Sequence, residues 1–328
     1  MEGLQKQVTV TSRFEYTHYS SAFSNDRETL FLLHGFPDDA LLWKGIVEKL
    51  GTGYNLIIPD LLGYSGASKP IDPVAYNYAD YTQDLVDILD AKGINQVIAI
   101  GHDWGSMVAQ RLYLLHPARV KGLVLLNVGY VAPSNEPFDL KKFNAQTEKA
   151  FGYPLFAYQE FLTSDEAPRI LNANPGRFFD GLHGAPADGW MKEFFCTRGR
   201  MRDWLLDEHA SIELLPYAQD PRIRQAFVER FQRDGFEAPL CYYKIKSIQK
   251  GAADEMPKES LVVRVPTLHV ICTRDAVCLP QLSQSAKANG LLPDLEEATI
   301  ECGHWSPLEK PDEISSLIKA FLARRFSS

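Results

Sequence analysis

The segment Gly101–Gly105 places an aspartate, Asp103, between a short apolar run and a stretch with helical periodicity. The apolar run 97–100 predicts a buried strand, and residues 107–116 predict a helix. A strand, a sharp turn flanked by glycines and a helix form the layout that exposes a nucleophile at the top of a parallel sheet. Serine is usual in that place and attacks carbonyl carbon, whereas a carboxylate displaces a leaving group from saturated carbon and becomes an ester.

Two more side chains stand where such a nucleophile would need them. Asp275 follows the predicted strand 265–271, and His304 follows the predicted strand 295–300. The chain order nucleophile, acid, histidine is one of the known orders of a catalytic triad. Because a buried carboxylate fixes the tautomer of a histidine and stabilises its charged form, we expect Asp275 to orient His304 as the base.

The turn His34–Pro37 follows another apolar run, residues 30–33. We expect the backbone N–H groups of Phe36 and Trp104 to form an oxyanion hole beside Asp103. Aromatic and apolar residues next to these groups would line a substrate pocket that favours an apolar molecule over a charged one. The pocket residues predicted on this basis are Phe36, Pro37, Trp104 and Trp305.

Strand-like and helix-like segments alternate in residues 1–130 and 260–328, which predicts a mostly parallel, doubly wound α/β sheet. Residues 131–259 contain helical stretches and no convincing buried strand. We expect this segment to be a helical cap inserted over the strand ends, where open α/β sheets place their sites.

Composition narrows the functional classes. The 328 residues are 45% hydrophobic and carry a net charge of -8, which argues against nucleic acid as a partner. The polar N-terminus and the lack of a long apolar run predict a cytoplasmic protein without a membrane anchor. Five cysteines without metal-ligand spacing are expected to be free thiols, and no metal or organic cofactor is expected.

These segments together resemble the α/β hydrolases with an aspartate nucleophile, and most of all the soluble epoxide hydrolases. The matching segments are His34–Pro37, Asp60–Ser68, Gly101–Gly105, Asp275 and Gly303–Trp305. The resemblance implies the α/β-hydrolase fold with an inserted cap, and a covalent hydroxyalkyl ester on Asp103. It also implies that a small lipophilic or aryl epoxide and water react to give a vicinal diol. The oligomeric state stays open.

By the same resemblance, two tyrosines of the cap donate protons to the epoxide oxygen, and they match Tyr153 and Tyr243. An alkoxide is a poor leaving group, and a phenol with a pKa of about 10 can donate to it as charge develops. Tyr158 and Tyr242 are the rival choices. On a helix, Tyr242 points roughly 100° away from Tyr243, so these two cannot share the role.

Two other functions remain open. Haloalkane dehalogenases also resemble this elbow, but they often carry asparagine where this chain has Phe36, although Trp190 or Trp204 could donate to a halide instead. Fluoroacetate-type dehalogenases carry arginines after the nucleophile, where this chain has Trp104 and Met107, and this difference argues against that branch. The second open function is that of a non-catalytic ligand-binding protein of the same fold.

Overall fold

The computed structural model describes residues 1–134, 136–185, 189–248 and 258–326. Its strands, numbered along the chain, are β1 (Gln5–Val10), β2 (Glu15–Ser20), β3 (Thr29–Leu33), β4 (Asn55–Pro59), β5 (Val97–His102), β6 (Val120–Leu126), β7 (Thr267–Cys272) and β8 (Leu295–Ile300). They form one sheet in the order β1-β2-β4-β3-β5-β6-β7-β8.

The sheet is antiparallel at one edge and parallel elsewhere. Strand β2 pairs antiparallel with β1 and β4, and every other neighbouring pair is parallel. Every residue of β3, β4 and β5 is buried. This explains their continuous apolar sequences, because strands covered on both faces have no polar side.

The helices are α1 (Lys44–Leu50), α2 (Tyr78–Ala91), α3 (Trp104–Leu115), α4 (Leu140–Phe151), α5 (Ala157–Leu162), α6 (Ala167–Ala173), α7 (Pro175–Leu182), α8 (Trp190–Cys196), α9 (Arg200–Leu206), α10 (Pro221–Asp234), α11 (Cys241–Lys244), α12 (Gln284–Ala288), α13 (Ser306–Glu309) and α14 (Pro311–Phe326). Short 3-10 helices span Ala40–Trp43, Pro73–Tyr76, Pro117–Arg119, Pro216–Gln219, Ile245–Ser247, Lys258–Leu261 and Pro280–Ser283. Helix α3 packs on β3, β5 and β6, while α1 packs on α14. None of the described helices is long and apolar enough to cross a membrane.

Between β6 and β7, the regular elements of the described chain are helices joined by loops, with one isolated bridge between Gly184 and Leu214. This stretch covers the described part of the cap that we propose for residues 131–259. Residues 249–257, near its end, lie outside the described part.

Hydrogen bonds and an ion pair join this helical segment to the sheet core. The hydroxyl of Tyr242 on α11 donates to the carbonyl of Leu62 at 3.0 Å and lies 2.8 Å from the Tyr81 hydroxyl. Arg230 on α10 pairs with Asp39 at 2.7 Å, and both side chains are mostly buried. The segment is therefore held against the loops that follow the central strands.

The turn His34–Pro37 and the residues Asp103, Asp275 and His304 come after the ends of β3, β5, β7 and β8, respectively. These four strands belong to the parallel part of the sheet, so their carboxyl ends lie along the same edge. An open α/β sheet binds its ligands along that edge.

Candidate active site

Asp103 occupies a strained turn between β5 and α3. Its backbone has φ 53° and ψ -122°, a conformation rare for a residue with a side chain. A Cβ atom on Gly101 would collide with the backbone of Gly105, and one on Gly105 would collide with that of Leu33. Glycine is needed at both positions because the turn is packed tightly against β3, and this packing holds the aspartate in its strained backbone conformation.

Two backbone N–H groups act on the carboxylate of Asp103. The N–H of Phe36 donates to its Oδ1 atom at 2.9 Å. Burial raises the pKa of Asp103, while His304 and the N–H groups of Trp104 and Phe36 oppose that rise. An oxyanion hole needs donors in this place, and the assignment of Phe36 and Trp104 to it stays a prediction.

Asp275 and His304 form a short, buried pair. Nδ1 of His304 lies 2.7 Å from Oδ2 of Asp275. Burial alone would lower the pKa of His304, but the Asp275 and Asp103 carboxylates outweigh it and raise this pKa to about 9. Burial alone would raise the pKa of Asp275, but His304 holds it well below its usual range. The pair therefore rests as carboxylate and imidazolium near neutral pH.

Asn127, which follows β6, completes the surroundings of this pair and was not predicted from the sequence. Its Nδ2 donates to Oδ2 of Asp275 at 2.7 Å, and its Oδ1 accepts from the Ser306 hydroxyl at 2.8 Å. The N–H groups of Val277 and Cys278 donate to Oδ1 of Asp275, each at 3.0 Å. The only sequence signal for Asn127 was its position directly after a predicted strand.

Tyr243 and Tyr158 lie close together on the cap side of the site. Their ring centroids are 6.0 Å apart, and Tyr243 also meets the rings of Trp104 and Phe36 edge-on at 5.1 Å each. Burial raises the pKa of both phenols well above the usual value, and the charge of Asp103 adds to the rise in each case. Both side chains are therefore protonated at neutral pH and within electrostatic reach of Asp103.

The Tyr158 hydroxyl accepts a hydrogen bond within the described residues but donates none. Nε2 of Gln159 donates to the Tyr158 oxygen at 3.0 Å, so this oxygen already accepts a hydrogen bond. Within the described residues the hydroxyl donates to no protein atom. Its proton is free for a group in the cavity.

Tyr153, the tyrosine predicted from the resemblance, lies elsewhere. It sits in the turn between α4 and α5, half exposed, with the ammonium of Lys192 only 4.0 Å from its ring centroid. It is not among the residues that line the cavity at Asp103, whereas Tyr158 is. The turn around Gly152 carries Tyr153 outward, and the first turn of α5 carries Tyr158 inward.

Tyr242, the other rival, is committed to structural hydrogen bonds. Its hydroxyl is shared with Leu62 and Tyr81, as described above, and its ring packs at 5.0 Å from that of Tyr76. The side chain of Tyr242 therefore points away from that of Tyr243, as the helical spacing predicted.

A cavity of about 310 Å³ opens beside Asp103. Its wall includes Trp104 and Tyr158, but not Phe36, Pro37 or Trp305, which were predicted to line the pocket. Tyr243 is not on this wall either, but it packs edge-on against the rings of Trp104 and Tyr158, which are. The ring of Phe36 is turned toward Tyr243 and Phe178, and the carbonyl of Pro37 accepts from Arg230. The indole of Trp305 donates to Asp38 at 3.1 Å and packs on His183 at 4.5 Å. Phe36, Pro37 and Trp305 therefore pack around the site without lining the cavity, because their polar atoms and rings are used in other contacts.

Asp275, Cys278 and His304 also bring three possible metal-ligand atoms within 4.8 Å of one another. The Asp275 oxygen and the His304 Nδ1 that face each other are already joined at 2.7 Å. Cys278 Sγ is 3.7 Å from the same nitrogen, and burial raises the pKa of its thiol well above the usual value. The cluster therefore fits an oriented histidine better than a set of metal ligands, which require a deprotonated thiol.

The chain has the α/β-hydrolase fold, with an aspartate in the turn after β5. The model of the alpha/beta hydrolase fold family matches residues 28–159, and the chain has that fold. The chain is 28% identical over 304 residues to the bifunctional epoxide hydrolase 2 of Sus scrofa, covering 89% of this chain and 50% of that protein. It is also 28% identical to the epoxide hydrolase srdG of Neurospora crassa, covering 96% of this chain and 94% of that one.

Solved structures agree with this assignment of the fold. An epoxide hydrolase from an endophytic Streptomyces superposes with a TM-score of 0.81 at 21% identity, over 98% of this chain and 96% of that one. The chain spans about half the length of the mammalian relatives it matches and nearly all of the fungal one.

Proposed function

We propose that this protein hydrolyses epoxides to vicinal diols through a covalent ester on Asp103. The observation that carries the proposal is that Asp103, which accepts a hydrogen bond from the Phe36 N–H, lies within electrostatic reach of two protonated tyrosines, Tyr158 and Tyr243. The similarity to proteins named epoxide hydrolases supports the same reaction.

In the first step, Tyr158 and Tyr243 donate hydrogen bonds to the epoxide oxygen. The free oxygen of Asp103 attacks a ring carbon, because its Oδ1 is held by Phe36. The carbon–oxygen bond of the ring breaks as the new ester bond forms, and a tyrosine proton neutralises the leaving alkoxide. We assign the role of the first proton donor to Tyr158 instead of Tyr153, because of these two tyrosines only Tyr158 lines the cavity.

In the second step, His304 removes a proton from water, which attacks the carbonyl carbon of the Asp103 ester. Formation of the ester removes the negative charge of Asp103, one of the groups that raise the pKa of His304. The imidazolium therefore loses its proton more readily once the ester exists, so that a neutral base appears when it is needed. The N–H groups of Phe36 and Trp104 stabilise the oxyanion, whose collapse breaks the acyl–oxygen bond, releases the diol and restores the Asp103 carboxylate. Of the two protons that the water brings, one goes through His304 to the departing diol oxygen and the other restores the tyrosine that gave up its proton in the first step.

The two cap indoles that could serve a haloalkane dehalogenase as halide donors are already used in hydrogen bonds to backbone carbonyls. The indole N–H of Trp190 donates to the carbonyl of Gly181 at 2.9 Å, and that of Trp204 donates to Arg177 at 2.8 Å. Neither indole is available for a halide, and the side chain of Phe36 has no donor. Two phenols are better matched to an alkoxide than to a halide, because the alkoxide must be protonated.

A parallel assay decides among the candidates. Purified protein is given styrene oxide and, separately, bromobutane, and the diol and bromide products are measured. We expect phenylethanediol from the first and no bromide from the second. Bromide release without diol from any epoxide would favour a dehalogenase, and turnover of neither would revive a non-catalytic binding protein.

A further inference from the structure

Lys246 lines the same cavity as Asp103, and the mechanism above does not use it. It lies in the 3-10 helix Ile245–Ser247, three residues after Tyr243 and just beyond α11. A second cation, Arg111 of α3, lies on the wall of this cavity as well.

The ammonium of Lys246 is surrounded by aromatic rings. Its Nζ atom lies 4.0 Å from the ring centroid of Phe138, 5.0 Å from that of Phe156 and 5.5 Å from that of Trp104. Burial lowers the pKa of this lysine to about 8, opposed by the negative charge of Asp103. Aromatic faces attract a cation, but they replace only part of the hydration that it loses.

Polar partners of Lys246 are scarce. Its one side-chain hydrogen bond in the described chain is to Oε1 of Gln159, at 3.5 Å. A charge-assisted bond is normally about 2.7–2.9 Å long, so this contact is weak. No carboxylate of the described residues lies within ion-pair distance of Nζ. The ammonium therefore retains donors directed at the cavity.

Arg111 is better satisfied but adds positive charge to the same wall. Its guanidinium donates to the carbonyl of Val131 at 2.9 Å and lies 5.4 Å from the ring centroid of Tyr78. The opposing charges on the cavity wall are Asp103, which the reaction uses, and the exposed Glu136. An anionic group on the ligand would complement the two cations.

We propose that the substrate is an epoxide whose carbon skeleton carries a carboxylate, and that the ammonium of Lys246 binds this carboxylate while Asp103 attacks the ring. This inference rests on the proposed function and narrows its substrate class. It departs from the expectation of an uncharged epoxide, which was drawn from aromatic residues alone. The apolar wall of the cavity still requires an apolar carbon chain between the epoxide and the carboxylate of the substrate.

The test compares acids with neutral molecules of the same shape. The probes are the terminal epoxides of hexenoic and undecenoic acids, each alongside its primary amide, and diol formation is measured as kcat/KM. The variants are Lys246→Met, Lys246→Arg and, as a matched control, Lys244→Met, which changes a lysine of α11 that does not line the cavity.

We expect the wild type to prefer at least one acid over its amide by about tenfold or more, the effect of one charge-assisted contact. Lys246→Met should abolish the preference, while Lys246→Arg and Lys244→Met should retain it. The inference is wrong if acids and amides react equally in the wild type, or if Lys246→Met slows both equally. Those results leave epoxide hydrolysis standing, whereas no turnover of any epoxide would overturn the proposed function as well.

Discussion

Nε2 of His304 lies 3.6 Å from Oδ2 of Asp103, beyond the length of a good hydrogen bond. A histidine that activates a serine must reach the nucleophile itself, because the hydroxyl has to lose a proton. An aspartate is already ionised and needs no such contact. The separation thus fits a histidine whose task begins after the nucleophile has reacted.

Replacing His304 by glutamine should separate the two steps. We expect His304→Gln to form the Asp103 ester but to hydrolyse it slowly, so that steady-state diol formation falls by about 10²–10⁴-fold. Mass spectrometry of the elbow peptide after mixing with styrene oxide should show the added mass of one epoxide. His209→Gln, which changes an exposed histidine, is the control. Absence of any adduct would argue against His304 as the base of the second step.

The choice between Tyr158 and Tyr153 can be tested by removing one hydroxyl at a time. Tyr158→Phe and Tyr243→Phe should each lower kcat/KM for styrene oxide by about 10²–10⁴-fold, the usual contribution of a general acid. Tyr153→Phe should leave the rate within about twofold, since that ring lies outside the cavity wall. If Tyr153→Phe were the damaging change and Tyr158→Phe were silent, the assignment made from the geometry would be wrong.

Tyr242 should matter for stability instead. In Tyr242→Phe, the hydrogen bond to Leu62 is lost and the buried Tyr81 hydroxyl loses its partner. We expect the free energy of unfolding to fall by about 1–3 kcal/mol. Urea titration measures this change, and Tyr54→Phe serves as control because its hydroxyl makes no hydrogen bond within the described residues. An unchanged unfolding midpoint would contradict the structural role.

The charged pair of Asp275 and His304 makes stability depend on pH. His304 has a pKa of about 9 in the folded protein and 6.5 as its ordinary value, so the folded state binds its proton more tightly. The stabilisation is fully present below about pH 6.5 and is lost as the pH rises through about 9. We expect the difference in unfolding free energy between wild type and His304→Gln to shrink across this interval. A difference that grows over it would contradict the raised pKa.

The sequence was sufficient for residues whose place is set by strand ends. Asp103, Asp275 and His304 each follow an apolar run, and parallel strands carry such residues to one edge of the sheet, where the structure brings them together. Their catalytic roles stay predictions until tested. The boundaries of the cap are likewise a prediction, although the described elements between β6 and β7 are helical.

The cap was harder to predict because its tyrosines depend on where short helices begin and turn. Helix α8, for example, ends at Cys196 and α9 starts after Gly199, whose φ is 78°, so that two short helices stand where helical periodicity alone would allow one. The same uncertainty of a few residues decides between Tyr153 and Tyr158. Lys246 was not predicted as a site residue, because a lysine in a short helix normally faces solvent.

The covalent ester on Asp103 is tested most directly by a single turnover in water enriched in heavy oxygen, with enzyme in excess over styrene oxide. Water that attacks the ester carbonyl leaves its oxygen in the carboxylate of Asp103, while the first diol carries away an original oxygen of that carboxylate. We therefore predict heavy oxygen in the elbow peptide and none in the first diol. Heavy oxygen in the first diol, with an unlabelled Asp103, would show that water opens the epoxide directly and would contradict the account.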